Sequence, residues 1–168
     1  LERTRLLEPG LISFVPGVER HRALGGGVCV VALAPDDEIA LTDQEGGQRC
    51  ELVILGEGGG EDFGALGLGA GELAGGLAAI IKNGGDGCDL ARQALRSGQL
   101  DLGEARAAIL FGDGSPAVET VSFSAQRPCL CIVAAPGGPM RVDKQNPPTE
   151  IRITLQRAKF DIAMERPL

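Results

Sequence analysis

The sequence predicts a mainly β, β-rich α+β fold: an antiparallel barrel or sandwich of about seven short strands, with two or three short helices inserted in the middle. Three observations predict it. Short apolar or alternating segments recur in the first and last thirds of the chain, turn residues separate them, and strand–helix–strand alternation is absent. The 168 residues fit a single domain over 1–168 that can bury a core without metals or disulfides.

The first third of the chain consists of apolar segments that are bounded by turn residues. Four strands are predicted there, over 11–15, 28–33, 38–42 and 49–55. The turns between them contain Pro16-Gly17, Pro35-Asp36-Asp37 and the glycine-containing segment 43–47. Short strands joined by tight turns predict an antiparallel meander.

The middle third is rich in glycine and has helical periodicity. Residues 56–71 are weakly patterned and are predicted to form a loop. A short helix is predicted over 72–82, and a better one between an N-cap at Asp86 and a C-terminal Gly98. A further helical turn is predicted to lead into 105–110.

The last third returns to β structure. Residues 118–123, 129–135 and 151–155 are predicted strands, the last with clean alternation of apolar and polar side chains. Four prolines between 135 and 149 exclude a regular element there. Residues 157–168 are predicted to be a C-terminal linker. Since the chain lacks an initiator Met and both ends lack a closing element, we expect it to be part of a longer polypeptide.

Composition excludes several classes of partner. The net charge is −7 and Trp and Tyr are absent, which argues against nucleic-acid binding. The apolar segments are shorter than the roughly 20 residues that cross a bilayer, and no signal peptide is recognisable, so no membrane partner is expected. Five cysteines with irregular spacing predict buried, inert thiols and a reducing cytoplasmic location. Cys129 and Cys131, two residues apart in a predicted strand, are expected to lie on the same face of it.

No catalytic or cofactor-binding constellation is predicted. His21 is the only histidine and stands between two arginines, and the sequence has no Gly-x-Ser-x-Gly motif that could supply a nucleophilic serine. Glycines 25–27 lead into a strand, the reverse of the order in a phosphate-binding loop, and residues 83–87 read as a turn and cap. The carboxylate pairs Asp36-Asp37 and Glu61-Asp62 are predicted to be solvated.

The most individual segment is 143–150, where side-chain amides are flanked by prolines. Gln145, Asn146 and Thr149 are the candidate ligand or interface residues. They could form a preorganised recognition loop, or they could satisfy backbone groups in a tight crossing. The sequence leaves both alternatives open.

Two stretches carry a resemblance to known proteins. Residues 131–140 and 145–151 resemble the first domain of bacterial multidomain proteins that carry a glycine-cleavage T-protein-like aminomethyltransferase module, among them trimethylamine N-oxide demethylase. Residues 37–48 resemble the β-rich urea-carboxylase-associated domain, with its acidic-Gly-x-Gln turn. The resemblance implies tetrahydrofolate, with zinc as a second cofactor, in the parent protein and outside this fragment.

The resemblance also identifies a departure from the family pattern. Related zinc-binding domains have an Asp-Thr…His-Asp…Cys pattern before a helix, whereas residues 83–88 keep Cys88 and lack the His. Cys88 is therefore a weak metal candidate in a degenerate copy of the site.

Three hypotheses follow. The first is a non-catalytic accessory or assembly domain of a folate-dependent demethylase or aminomethyltransferase, with the other domains of the same polypeptide as partners and homo-oligomerisation as a further option. The second is a small metal-dependent enzyme that uses Cys88 together with Cys50 and carboxylates. The third is a small-molecule binding module that uses Gln145 and Asn146.

Overall fold

The chain folds into three layers: a four-stranded sheet, a five-stranded sheet and a pair of helices. The computed structural model describes residues 16–112, 114–137 and 147–159. The strands are β1 (Val18–Ala23), β2 (Val28–Leu33), β3 (Glu38–Asp43), β4 (Cys50–Gly56), β5 (Glu72–Leu73), β6 (Arg106–Leu110), β7 (Glu119–Ser124), β8 (Cys129–Ala134) and β9 (Ile151–Gln156). The helices are α1 (Gly75–Lys82) and α2 (Cys88–Ser97), with 3-10 turns at Phe63–Leu66 and Leu102–Glu104.

The predicted mainly β, antiparallel fold is confirmed, and the strands form a sandwich of two sheets. One sheet has the order β1-β9-β3-β7 and the other β2-β8-β4-β6-β5. The predicted meander is wrong, because β1, β2, β3 and β4 alternate between the sheets and none of them pairs with the next. A tight turn looks the same in sequence whether the chain folds back beside its strand or crosses to the facing sheet.

The main core lies between the two sheets, where alternate residues of the strands meet. Ile151, Ile153 and Leu155 of β9 are fully or almost fully buried there. A second core lies between the five-stranded sheet and the helices, and it includes Val53 of β4 and Leu77 of α1. Because β4 contributes side chains to both cores, it is buried on both faces, which explains why its sequence is apolar apart from Glu51.

Three strands, β1, β5 and β6, were not predicted. The helix predicted over 72–82 begins only at Gly75, because Glu72 and Leu73 form β5 and pair with β6. β1 has only polar and charged residues over 19–22 and is an edge strand of the four-stranded sheet, so it lacks the apolar pattern of a buried strand. Residues 106–110, predicted to follow a helical turn, form β6 instead, because they pair with β4 and β5. The predicted strand over 11–15 lies outside the described residues.

The helical region differs from its prediction in detail. Residues 56–71 were predicted as a loop, but they contain the 3-10 turn, whose Ala65 and Leu66 are buried. Gly87, not Asp86, is the N-cap residue of α2, and its left-handed φ of 79° suits a residue without a Cβ. None of the helices in the described residues is long and apolar enough to cross a membrane.

Arg157 ties the end of the described chain to the sandwich. Its guanidinium donates to Glu19 at 2.7 Å and to Asp37 at 2.8 Å, and it also donates to the Ala32 carbonyl oxygen at 2.7 Å. Asp37, predicted to be solvated, is buried and accepts further bonds from the Ala34 and Ala158 amides at 2.9 Å each. The predicted linker over 157–168 therefore begins with a residue that is integrated into the fold; residues 160–168 lie outside the described part.

This network predicts a loss of stability in acid. Burial by itself raises the pKa of Asp37, but the bonds from Ala158, Ala34 and Arg157 outweigh it and leave the pKa below its ordinary value. A carboxyl with a lowered pKa stabilises the fold above its unfolded pKa and loses that contribution as the pH falls through the folded value. We expect the free energy of unfolding, measured in urea, to decline below about pH 5, and Asp37→Asn to flatten that decline. An equally steep decline in the variant would contradict the assignment.

Candidate functional site

The structure describes only part of the predicted recognition segment. Gln145 and Asn146 lie outside the described residues, so their role as ligand or interface residues stays a prediction. Thr149 and Cys88 are described, and they lie in different parts of the fold.

Cys88 is the first residue of α2 and is half-buried beside the second core. Its thiol lies 3.9 Å from an Asp89 carboxylate oxygen. Cys50, its proposed partner in a metal site, is buried between the two sheets, on the opposite face of the five-stranded sheet. The structure therefore does not bring these thiols together, and it contains no group of three or more His, Cys, Asp or Glu residues suited to a metal within the described residues.

The other cysteines also belong to the cores, and all five are free thiols. Cys129 and Cys131 share one face of β8, as predicted, and interact with each other. The hydrogen bond from Cys131 lowers the pKa of the Cys129 thiol despite burial, and the same bond together with burial raises the pKa of Cys131. Burial likewise raises the pKa of Cys50 and of Cys29, so these thiols are held in the unreactive protonated form.

A buried polar cluster lies where the predicted recognition segment enters the sandwich. We define it as Asp43, Gln48, Glu51 and Thr149. Asp43 ends β3, Gln48 and Glu51 flank the start of β4, and Thr149 directly precedes β9. Asp43 and Ile151 are register partners across β3 and β9, which brings these chain segments to one region of the molecule.

Asp43 organises the turn between β3 and β4. Its two carboxylate oxygens accept bonds from the Gly46 and Gln48 amides, each at 3.0 Å. Gly46 and Gly47 adopt left-handed φ values of 86° and 67°, which a residue with a Cβ rarely takes. The side chain of Asp43 thus replaces backbone bonds that this sharp turn cannot make.

Glu51 caps a helix that is distant in sequence. Its carboxylate accepts bonds from the Gly76 amide at 3.0 Å and the Leu77 amide at 2.9 Å, and Arg49 donates to it at 3.2 Å. The local N-cap residue, Ala74, makes no side-chain bond to the helix. Glu51 therefore satisfies the first amides of α1 and places a negative charge at the positive end of its dipole.

A hydrogen bond between Gln48 and Thr149 connects the end of the predicted recognition segment to the turn between β3 and β4. The Thr149 amide donates to the Gln48 side-chain oxygen at 3.2 Å. A Cβ at Gly25 would overlap the Pro148 carbonyl oxygen and lie 2.9 Å from the Thr149 nitrogen, so the two backbones are in close contact. The Thr149 hydroxyl is buried and is the one buried side-chain N or O atom without a hydrogen-bond partner in the described part of the chain.

The cluster therefore has the geometry of a structural junction. Both of its carboxylates, Asp43 and Glu51, are already engaged by backbone amides. Sequence reasoning missed Glu51, although a lone carboxylate in an otherwise apolar strand is the usual signal of a buried, bonded charge.

Comparison with known proteins identifies one curated relative. The chain is 35% identical over 153 residues to the trimethylamine-oxide aldolase of Ruegeria pomeroyi, a match that covers 91% of this chain and 19% of that protein. The chain is thus homologous to a segment of that enzyme, which confirms the resemblance to proteins that act on trimethylamine oxide. No protein-family model matches. Among solved structures, the chain is similar to a DUF1989 family protein from Silicibacter pomeroyi, with a TM-score of 0.47 and 11% identity over 85% of this chain and 80% of that one.

Proposed function

We propose that this chain is a non-catalytic accessory domain of an enzyme that acts on trimethylamine oxide or a related methylated amine. The observation that carries the proposal is the 35% identity to a segment that makes up 19% of trimethylamine-oxide aldolase. Because the similarity extends over 91% of the chain, it concerns the whole fold and not one short motif. The domain would pack against the catalytic modules of the same polypeptide or help them to assemble.

The buried carboxylates support a structural role. Asp37, Asp43 and Glu51 each accept bonds from two backbone amides. A general acid or base must exchange its proton with a substrate in the transition state, whereas these groups act as fixed acceptors that hold turns and a helix end. Their geometry therefore suits a domain that keeps its shape and presents surfaces to neighbouring modules.

The cofactors are part of the same proposal. Tetrahydrofolate, and any zinc, would bind to other modules of a folate-dependent demethylase or aminomethyltransferase in the cytoplasm. The small-molecule alternative depends on Gln145 and Asn146 and remains a second prediction.

Enzyme assays on the full-length protein and on the present chain alone test the proposal. Consumption of trimethylamine N-oxide would be followed by NMR for the full-length protein, for the present chain alone, and for the full-length protein with Glu51→Ala or the surface change Glu57→Ala. We expect turnover by the full-length protein, none by the chain alone, and reduced assembly and turnover with Glu51→Ala but not with Glu57→Ala. Turnover by the chain alone would overturn the accessory role.

A further inference from the structure

The outer face of the four-stranded sheet collects positive charge on an otherwise acidic protein. A shallow groove of about 560 Å³ runs across this face, and its lining includes Arg20, Arg22, Thr42, Thr120, Glu150 and Arg152. Among the described residues that line the groove, Arg22 and Arg152 stand against one carboxylate, that of Glu150, whereas the whole chain carries a net charge of −7. We call this region the arginine groove.

The strand register places the arginines side by side. Arg22 of β1 is the partner of Arg152 of β9, and Arg152 is also the partner of Thr42 of β3. Neighbouring strands lie roughly 4.8 Å apart, and residues two apart on a strand roughly 7 Å, so Arg20 lies on the same face close to both other arginines. The three guanidinium groups therefore start from backbone positions within reach of one small ligand.

This arrangement of arginines is by itself electrostatically unfavourable for the sheet. Like charges directly opposite each other on paired strands destabilise a sheet, and Arg22 and Arg152 are such a pair. Glu150 contacts the Arg152 Nε at 3.4 Å, which is long for a charge-assisted bond. Glu150 cannot balance both Arg22 and Arg152, so an added anion would relieve their repulsion as well as form new bonds.

The neutral part of the groove adds hydrogen-bonding capacity. Thr42 is the register partner of both Arg152 and Thr120, so these three side chains form a row across β9, β3 and β7. The Thr42 and Thr120 hydroxyls lie 2.8 Å apart. Planar guanidinium groups bind carboxylate or phosphate oxygens in pairs, and hydroxyls can complete the shell of a ligand that extends along the row. The volume suits a small molecule, and the acidic remainder of the protein disfavours a long polyanion such as nucleic acid.

We propose that the arginine groove binds a small anion with at least two negative charges on oxygen groups, which Arg22 and Arg152 hold together. A phosphate monoester and a dicarboxylate share this chemistry. The proposal does not depend on the accessory role proposed above, since it rests only on the outer face of the sheet.

Thermal denaturation with inorganic phosphate and with succinate, at ionic strength matched by sodium chloride, tests the proposal and distinguishes the two sources. We expect at least one of the two, at about 10 mM, to raise Tm above the chloride control. Arg22→Gln and Arg152→Gln should each weaken binding about tenfold or more, as the loss of a charge-assisted bond implies. Arg22→Gln should also raise Tm without any anion, because it removes the repulsion with Arg152.

Two further variants test the role of charge in the groove and provide a control outside it. Glu150→Gln should strengthen binding, since it removes the one carboxylate that lines the groove together with the arginines. Arg96→Gln, on α2, removes an equal charge away from the groove and should leave the anion response unchanged. The proposal is overturned if neither anion exceeds the chloride control, or if Arg22→Gln and Arg152→Gln respond as the unaltered chain does. Phosphorus NMR linewidths of bound phosphate provide a second readout for any variant with an altered Tm.

Discussion

Replacement of Glu51 by alanine is expected to lower the free energy of unfolding by about 3 kcal/mol, because the buried Leu77 amide and the part-buried Gly76 amide lose their acceptor. Leu77 is fully buried, so its amide cannot turn to solvent instead. The variant also removes the negative charge from the N-terminus of α1, which no local side chain caps. Urea denaturation measures the effect as a shift of the midpoint at unchanged slope.

Two control variants separate the capping role from a general effect of charge. Glu57→Ala removes an exposed carboxylate six residues along the chain and should change stability by less than about 0.5 kcal/mol. Glu51→Gln keeps one acceptor oxygen, so its loss of free energy of unfolding should lie between the losses of Glu57→Ala and Glu51→Ala. A loss below about 1 kcal/mol in Glu51→Ala would show that α1 does not depend on this carboxylate.

Gly87→Ala is expected to cost about 3 to 4 kcal/mol, since the new methyl group would meet backbone that has no room to move. Its Cβ would overlap the Val28 carbonyl oxygen and lie 3.0 Å from the Val28 carbonyl carbon. Val28 is held in place by its own amide bond to the Asp86 oxygen at 2.8 Å and by the pairing of β2 with β8. The φ of 79° adds the usual penalty for a left-handed residue with a Cβ.

Gly84 provides a matched control for this prediction. It also has a left-handed φ, of 70°, but a Cβ there meets nothing within 4 Å. Gly84→Ala should therefore cost only about 1 kcal/mol, and the difference between the two variants in urea denaturation measures the clash alone. Equal losses would mean that backbone conformation accounts for both.

Strands with a clear apolar pattern could be predicted from the sequence. β2, β4, β8 and β9 are such strands, because their side chains fill one or both cores. β1 could not be predicted in this way, since it is an edge strand whose side chains are largely accessible to solvent. β6 is rich in alanine, which favours helix, and pairing with β4 and β5 decides its conformation against that local preference.

Of the four residues in the buried polar cluster, only one was a candidate from the sequence. Thr149 was among the predicted residues, and the structure places it in the buried polar cluster. Glu51 was not. Its place in an apolar strand indicates a buried, bonded carboxylate, but no pattern around residue 51 reveals that the partners are the amides of Gly76 and Leu77. Backbone amides are the same in every residue except proline, so a side chain that bonds to them leaves no signature at the partner positions.

By itself, the sequence determined the fold class and most of the strands, because apolar periodicity and turn residues act over a few neighbouring positions. It also determined the excess of negative charge and the placement of Cys129 and Cys131 on one face of a strand. Only the tertiary structure decided which strands pair, that the first four strands alternate between two sheets, and that Arg22 lies opposite Arg152. Those features depend on register between segments that are distant in the chain, and the packing of both cores selects that register, not any local preference.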